Sequence, residues 1–325
     1  MFKLSKKSQL SVELRDYVLR ALVKKGPSAA QWDVIEIPLE RDVVNDSIVN
    51  DEMALFNVLK ENLPRFGGKN QNVRMFVPDA TVLLKKFHHP EEYDPKKLKE
   101  YVMMELGQSI HLPFQEPLID VYDAKEGDGE ATLFAVPPDE VQKLLGLFLD
   151  LNLTPEAADV RALCNLRLLE HLDLLDDERT YLISDWSINE LSISIYSGGA
   201  LEFLRFQSLQ TEVGKWRSVE LSQDNYQFSY AGDLAEYQMV VSDQVLELER
   251  MMNFFKFSLH KGEKNVDEVI VMGDNPILDY VASYLQDNLA TPVSIVNDDV
   301  IAKAFPSKGA KHAAILGLAL KEVKG

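Results

Sequence analysis

The sequence predicts a two-domain α/β protein whose two halves repeat one pattern. Its 325 residues exceed what a single hydrophobic core usually organises. Apolar runs with strand spacing alternate with amphipathic helix patterns along most of the chain. A strand, an acidic turn, a strand, a second turn and a third strand begin near residue 10, and the same order recurs near residue 180. This recurrence indicates an internal duplication at a spacing of about 170 residues.

Composition and charge exclude several classes of protein. The net charge of −18 and the pI near 4.8 argue against a nucleic-acid binder and against adhesion to anionic lipid, although residues 1–26 alone sum to +5. No stretch approaches 18 uncharged apolar residues, so we expect no direct membrane insertion. The single cysteine, Cys164, cannot form an internal disulfide, and its apolar neighbours predict a core residue rather than a reactive thiol. These features predict a cytoplasmic protein.

The first half begins with a predicted meander of three strands. Residues 10–39 alternate apolar and polar positions, and breaks such as Gly26-Pro27 separate the runs. Asp51 is a suitable N-cap for a helix with apolar residues spaced three and four apart, and Gly67-Gly68 ends it. Four of the five residues 73–77 are apolar, which predicts a buried strand.

Residues 79–152 show a different order of strand and helix patterns, which predicts an inserted α+β unit. Strand patterns at 81–87, 118–122 and 131–136 accompany a helix that begins at Asp94-Pro95 and another that begins near Pro138. We therefore assign residues 1–78 and 153–178 to the first domain and 79–152 to an inserted subdomain. Residues 179–325 form the second domain.

The second half repeats the strand meander and adds helices. Strand patterns at 181–185, 191–195 and 201–206 are joined by turns, including Ser197-Gly198-Gly199. Residues 235–261 give the longest helix pattern of the chain. A buried strand at 267–272, a turn at Gly273, two helices and a further strand complete the domain.

Taken in order, these segments resemble the PilM family, the actin-like proteins of type IV pilus assembly, which are relatives of FtsA. The resemblance is most specific over residues 94–160. Further matching segments are Ser184-Asp185, residues 269–273 and residues 314–320. No single short motif carries the resemblance; the ordered set carries it.

The resemblance implies an actin-like, ribonuclease H-like duplicated fold with a small inserted subdomain. It implies a cytoplasmic scaffold of a type IV pilus, secretion or competence platform, held at the inner face of the membrane through its partners. The implied partner is the cytoplasmic N-terminal segment of a PilN-like bitopic protein. Two questions are left open: whether pilus assembly ATPases are further partners, and whether the chain forms a homo-oligomer. An FtsA-like membrane tether is not expected, because the sequence stops directly after its last core helix and lacks the amphipathic helix that such a tether uses.

Actin-like proteins hold ATP between two phosphate-binding hairpins and an adenosine loop, where glycine lets the backbone approach the phosphates. Here Arg15, beside Glu13 and Asp16 that can pair with it, stands where the family has the glycine of the first hairpin. Ser187 stands at that position of the second hairpin. The resemblance therefore implies a degenerate nucleotide site that holds neither ATP nor a metal ion and has no catalytic residue. The alternative is an active ATPase that switches or polymerises with ATP and Mg²⁺. The positions that match the family's site are Glu13, Arg15, Asp16, Asp185, Ser187, Asn189, Gly273 and Asp274.

The segment 110–114 is a candidate wall of the partner groove that the resemblance implies between the first domain and the inserted subdomain. Ile110, Leu112, Pro113 and Phe114 form an apolar cluster in a loop-like stretch. Packing within the subdomain is an equally good interpretation of this cluster. His88-His89, next to two glutamates, fits a solvated loop better than a metal site.

Overall fold

The computed structural model describes residues 9–125, 127–211 and 213–322. The chain first forms a strand meander, a helix and a strand. These elements are β1 (Gln9–Arg15), β2 (Val18–Lys24), β3 (Trp32–Pro38), β4 (Val44–Asn45), β5 (Ile48–Val49), α1 (Glu52–Asn62) and β6 (Asn72–Phe76). The Asp51 carboxylate accepts a hydrogen bond from the amide of Ala54, which caps α1 as its sequence predicts.

The chain then leaves this domain and returns to it. The elements of this part are β7 (Leu83–His88), α2 (Leu98–Glu105), β8 (Leu118–Tyr122), β9 (Glu130–Val136), α3 (Pro138–Asp150), β10 (Thr154–Asp159) and α4 (Arg161–His171). Strands β7, β9 and β8 form a three-stranded antiparallel sheet in that order, with α2 packed on it. The helix α3 packs instead on the first domain, because its apolar face, including Val141 and Phe148, joins that domain's core.

The second half repeats the meander and continues with longer helices. Its elements are β11 (Tyr181–Trp186), β12 (Glu190–Ser197), β13 (Ala200–Ser208), β14 (Trp216–Ser222), β15 (Asn225–Tyr230), α5 (Leu234–Asn253), β16 (Glu268–Gly273), α6 (Leu278–Asn288), β17 (Val293–Ile295), α7 (Asp298–Ala304) and α8 (Ala313–Leu320). The predicted long helix ends at Asn253 and continues as a π-helical turn, Phe254–Leu259.

Two five-stranded mixed sheets carry the duplication. The first has the order β10-β6-β1-β2-β3 and the second the order β13-β12-β11-β16-β17. In each sheet an antiparallel meander lies beside a parallel strand, since β1 pairs with β6 and β11 pairs with β16 in parallel. This arrangement is the duplicated α/β pattern that the sequence predicts.

Helices α4 and α8 cross between the two sheets and join the domains. A β-carbon on Gly317 of α8 would lie 2.0 Å from the carbonyl oxygen of Cys164 in α4, so only glycine permits this crossing distance. Cys164 itself is buried and its thiol is free. The close crossing fixes the two domains on either side of a central cleft.

Candidate functional site

Three turns of the chain meet in the cleft between the domains. They are the turn that joins β1 to β2, the turn that joins β11 to β12, and the loop that follows β16. Parallel pairing of Trp186 with Gly273 places the last two side by side. Gly273 has a φ of +122°, and a β-carbon there would lie 2.1 Å from the carbonyl oxygen of Trp186. The glycine is therefore required by contact with the protein's own backbone.

Arg15, at the end of β1, crosses the cleft from the first domain to the second. Its side chain is 2% exposed. One terminal nitrogen donates to the Glu190 carboxylate at 2.6 Å, and the other donates to Asp185 at 3.2 Å. Glu13 lies 3.6 Å from the Nε of Arg15. A guanidinium thus fills the space between the two hairpins.

Arg20 makes a second set of buried ion pairs, next to the loop that follows β16. Strand pairing places it opposite Glu13. It reaches Asp274 of the loop after β16 at 2.7 Å and Glu36 of β3 at 2.8 Å. The Tyr17 hydroxyl donates to the same Asp274 carboxylate at 2.6 Å. The first strand pair is therefore tied to both its own sheet and the second domain.

Arg161, the first residue of α4, is a site residue that the sequence analysis missed. It donates to Asp79 at 2.5 Å and to Glu13, and it is almost fully buried. Asn165, one turn later in α4, donates to Asp185 at 2.7 Å. Nothing in the local sequence marks it, because the preceding strand β10 has the sequence TPEAAD and gives no apolar signal. Glu190, which opens β12, was also missed.

Burial and ion pairing shift the acids of this network in opposite directions. Burial raises the pKa of Glu190 to about 7 although Arg15 opposes it. Burial also acts on Asp274 and Glu36, but there the nearby cations prevail: the pKa of Asp274 is lowered, and that of Glu36 falls to about 2 beside Arg20 and Lys311. Burial lowers the pKa of His312 to about 3, so that ring is neutral near pH 7.

The network carries more negative than positive charge. Four cations face six carboxylates, which leaves two formal negative charges in excess. The cations are Arg15, Arg20, Arg161 and Lys311, and the carboxylates are Glu13, Glu36, Asp79, Asp185, Glu190 and Asp274.

The other predicted site positions are also bonded within the protein. Asp16 accepts hydrogen bonds from the amides of Asp46 and Ser47 and from the side chain of Asn189. Ser187 accepts from the side chain of Asn275 through its carbonyl oxygen. All eight predicted positions therefore gather around one cleft.

A hairpin of the second domain closes one side of this cleft. Strands β14 and β15 form it, and it contacts β3 of the first domain. Lys311 joins the two, because it lies 2.5 Å from Glu36 and donates to the carbonyl oxygen of Tyr226 at 2.8 Å. Beside it lies a polar cavity of about 620 Å³ that includes Arg20, Asp274 and Lys311 in its wall.

A second concave surface, here called the subdomain groove, lies between α4, the inserted sheet and the second domain. Its volume is about 560 Å³. All five residues of β8 line one wall, and Leu163, Leu166 and Glu170 of α4 line the opposite wall. Gly199 and Leu201 close it from the second domain.

The predicted wall segment 110–114 lies elsewhere in the inserted subdomain. Ile110 is buried in the subdomain core, and Leu112 and Phe114 pack against that core, while Pro113 is exposed. None of them lines the subdomain groove. Their role as partner contacts stays a prediction.

Comparison with known proteins identifies the relatives of this fold. The family model described as "Type IV pilus assembly protein PilM" matches residues 21–323. The structure of a PilM-PilN type IV pilus biogenesis complex superposes with a TM-score of 0.71 at 19% identity, covering 96% of this chain and 97% of that chain. No curated protein sequence matches.

Two more distant structures share the actin-like fold. A Bacteroides thetaiotaomicron protein with an actin-like ATPase fold and unknown function superposes with a TM-score of 0.51 at 10% identity, covering 99% of this chain and 100% of that one. The ethanolamine utilization protein EutJ from Carboxydothermus hydrogenoformans gives 0.50 at 10% identity, covering 98% and 91%. Within the described part of the chain, no helix has the length and apolar character needed to cross a membrane.

Proposed function

Because this chain belongs to the PilM family of type IV pilus assembly proteins, we propose that it is a non-catalytic, actin-like scaffold of the pilus platform. In this proposal it binds the cytoplasmic N-terminal segment of a PilN-like bitopic protein. That partner holds it at the inner face of the membrane. Its former nucleotide cleft is closed by ion pairs instead of by ATP.

The observation that carries the proposal is the position of Arg15 between the two hairpins. Phosphates in an actin-like cleft need backbone amides at close range. Here the guanidinium of Arg15 occupies that approach and is held by Glu190 and Asp185. The excess of carboxylates around it also disfavours a polyphosphate. The residues present therefore do not fit Mg-ATP, and we derive no step through it.

The subdomain groove supports the partner half of the proposal. The structure of the similar complex joins a PilM protein to PilN, and we transfer this partner to the present chain. Leu118, Leu166 and Leu201 line the groove from three parts of the fold, and Leu118 is 42% exposed there. Apolar pockets with a few polar groups are common binding sites for peptides and small ligands.

An active ATPase is the second candidate function, and one observation favours it. The cavity of about 620 Å³ lies beside Gly273 and Asp274 of the adenosine loop, so this side of the cleft retains open space. The phosphate side does not, since Arg15 fills it. We therefore keep the scaffold as the proposal.

A binding experiment tests the partner. A synthetic peptide that carries the N-terminal cytoplasmic segment of the PilN-like protein of the same organism is titrated with the purified chain, and fluorescence anisotropy is recorded. We expect saturable binding that Leu118→Glu, at an exposed position in the groove, weakens at least tenfold. The exposed Leu246→Glu on α5 is the matched control and should leave binding unchanged. Absence of binding to the unmodified protein would refute the proposal.

A further inference from the structure

The strand β8 is an edge strand that faces the subdomain groove. In the described parts of the chain it pairs only with β9, in the order β7-β9-β8. Ile119 is buried against the subdomain core, whereas Leu118 and Tyr122 are 42% and 47% exposed. An edge strand presents unpaired backbone donors and acceptors along its outer side.

The edge of β8 carries few of the features that usually protect an open strand. It contains no proline and no lysine, and its pairing with β9 is regular over all five residues. A single acid, Asp120, lies in its middle and accepts a hydrogen bond from the amide of Val121 at 3.1 Å. Proteins commonly block edges with charges, bulges or proline, or cover them with another segment. The groove along this edge leaves room for a covering segment.

One end of the groove is acidic. Glu170 lines it beside Tyr122, and Asp177 accepts a hydrogen bond from the Tyr196 hydroxyl. One oxygen of Asp123 is buried with no hydrogen-bond partner. Among the described residues, none of these three carboxylates has a cation within 4 Å. At the other end the charges are compensated, since Asp159 pairs with Arg167 and Lys321.

We propose that the partner segment binds the groove as an added strand on β8. The partner itself rests on the function proposed above. The occupant is an extended segment of about five residues, because β8 is five residues long and strands rise about 3.3 Å per residue. Its backbone pairs with the free edge, and alternate side chains are apolar and enter the groove. It carries a lysine or arginine where it passes Tyr122, so that its charge meets Glu170, Asp177 and Asp123.

Backbone methylation of the partner peptide tests strand addition without altering the protein. The probe is the synthetic N-terminal segment of the PilN-like protein, with one amide N-methylated at a time. In an added strand only every second amide faces β8, so we expect losses of about tenfold at alternate positions and little change between them. Losses without this alternation, in a peptide that still binds, would overturn the inference and leave the proposed function standing.

A charge variant tests the acidic end. Glu170→Gln should weaken binding several-fold and reduce its salt dependence, whereas Glu249→Gln on α5 should change neither. Equal effects of the two variants would contradict the inference. If the chain dimerises in solution and Val121→Pro in β8 breaks the dimer, the edge of β8 binds a second copy of the chain. That result would overturn the inference. Absence of binding by the unmodified peptide would remove the proposed function and this inference together.

Discussion

Replacing Arg15 by methionine removes the cation at the centre of the cleft and keeps a side chain of similar length. Three carboxylates lie within 3.6 Å of that guanidinium, and all of them are buried. Removing one partner of a buried ion pair costs about 3–5 kcal/mol, because the remaining charge is left uncompensated. Glu13 keeps Arg161, Asp185 keeps the amide of Asn165, and Glu190 keeps the Ser47 hydroxyl; the loss falls mainly on Glu190, whose 2.6 Å ion pair with Arg15 is the shortest of the three.

The expected loss in the free energy of unfolding is therefore about 3 kcal/mol at pH 8. It should shrink towards pH 5.5, because Glu190, whose pKa is about 7 with Arg15 present, is then protonated and needs no cation. Urea unfolding followed by tryptophan fluorescence measures this loss, and the buried Trp186 lies next to Asp185.

Arg250→Met is the matched control for this measurement. Arg250 is 72% exposed and pairs with Glu247 on the surface of α5, so its loss should stay below about 1 kcal/mol. Two results would refute the reasoning about the cleft. One is an unfolding free energy of Arg15→Met within about 1 kcal/mol of that of the unmodified protein at pH 8. The other is a larger loss at pH 5.5 than at pH 8.

Three further perturbations test other parts of the structure. Glu190 has a native pKa above its unfolded value, so this carboxyl stabilises the fold below about pH 4.5 and its contribution is lost as the pH rises through about 7. Glu190→Gln should therefore flatten the dependence of the unfolding free energy on pH across this window by up to about 3 kcal/mol, measured in urea titrations. An unchanged slope would contradict the burial argument. Gly317→Ala should lower stability by about 1–3 kcal/mol in thermal melts, because the new methyl group meets the backbone of α4. The control is Gly146→Ala in α3, where the added carbon meets nothing within 4 Å; it should raise stability by about 0.5–1 kcal/mol. Equal effects of the two variants would show that the helices α4 and α8 are not in tight contact. Lys311→Met should accelerate proteolysis within the β14–β15 hairpin, because the Lys311 amine joins that hairpin to the first domain. Lys303→Met is the control. Equal cleavage patterns of the two variants would show that Lys311 does not hold the hairpin in place.

The sequence predicts the fold well because its signals are local. Apolar and polar residues alternate in β1 and β12, and this alternation predicts strands even though the structure buries both of their faces. Several elements escaped prediction, among them β10, α4, the β14–β15 hairpin and α7. Helix α4 buries the polar residues Arg161 and Asn165 together with its leucines, which obscures its apolar pattern, and the β14–β15 hairpin is largely exposed and polar.

The candidate site is only partly predictable. The eight positions follow from the resemblance because each lies in or close to a turn that the pattern marks. The ion pairs do not follow, because Arg15 and Glu190 are 175 residues apart and meet only when the two sheets face each other. Of the two neighbouring acids expected to pair with Arg15, Glu13 lies 3.6 Å from its Nε, but Asp16 does not pair with it: Asp16 turns towards the amides of Asp46 and Ser47, while Arg15 crosses to the other domain.

The central claim is that ion pairs close the cleft where related folds hold a nucleotide. Isothermal titration of the full chain with Mg-ATP tests it most directly, with the partner peptide titrated into the same preparation as a positive control. We expect no saturable heat with ATP up to about 1 mM and peptide binding that is equal with and without ATP. A micromolar dissociation constant for Mg-ATP would contradict the account and favour the ATPase.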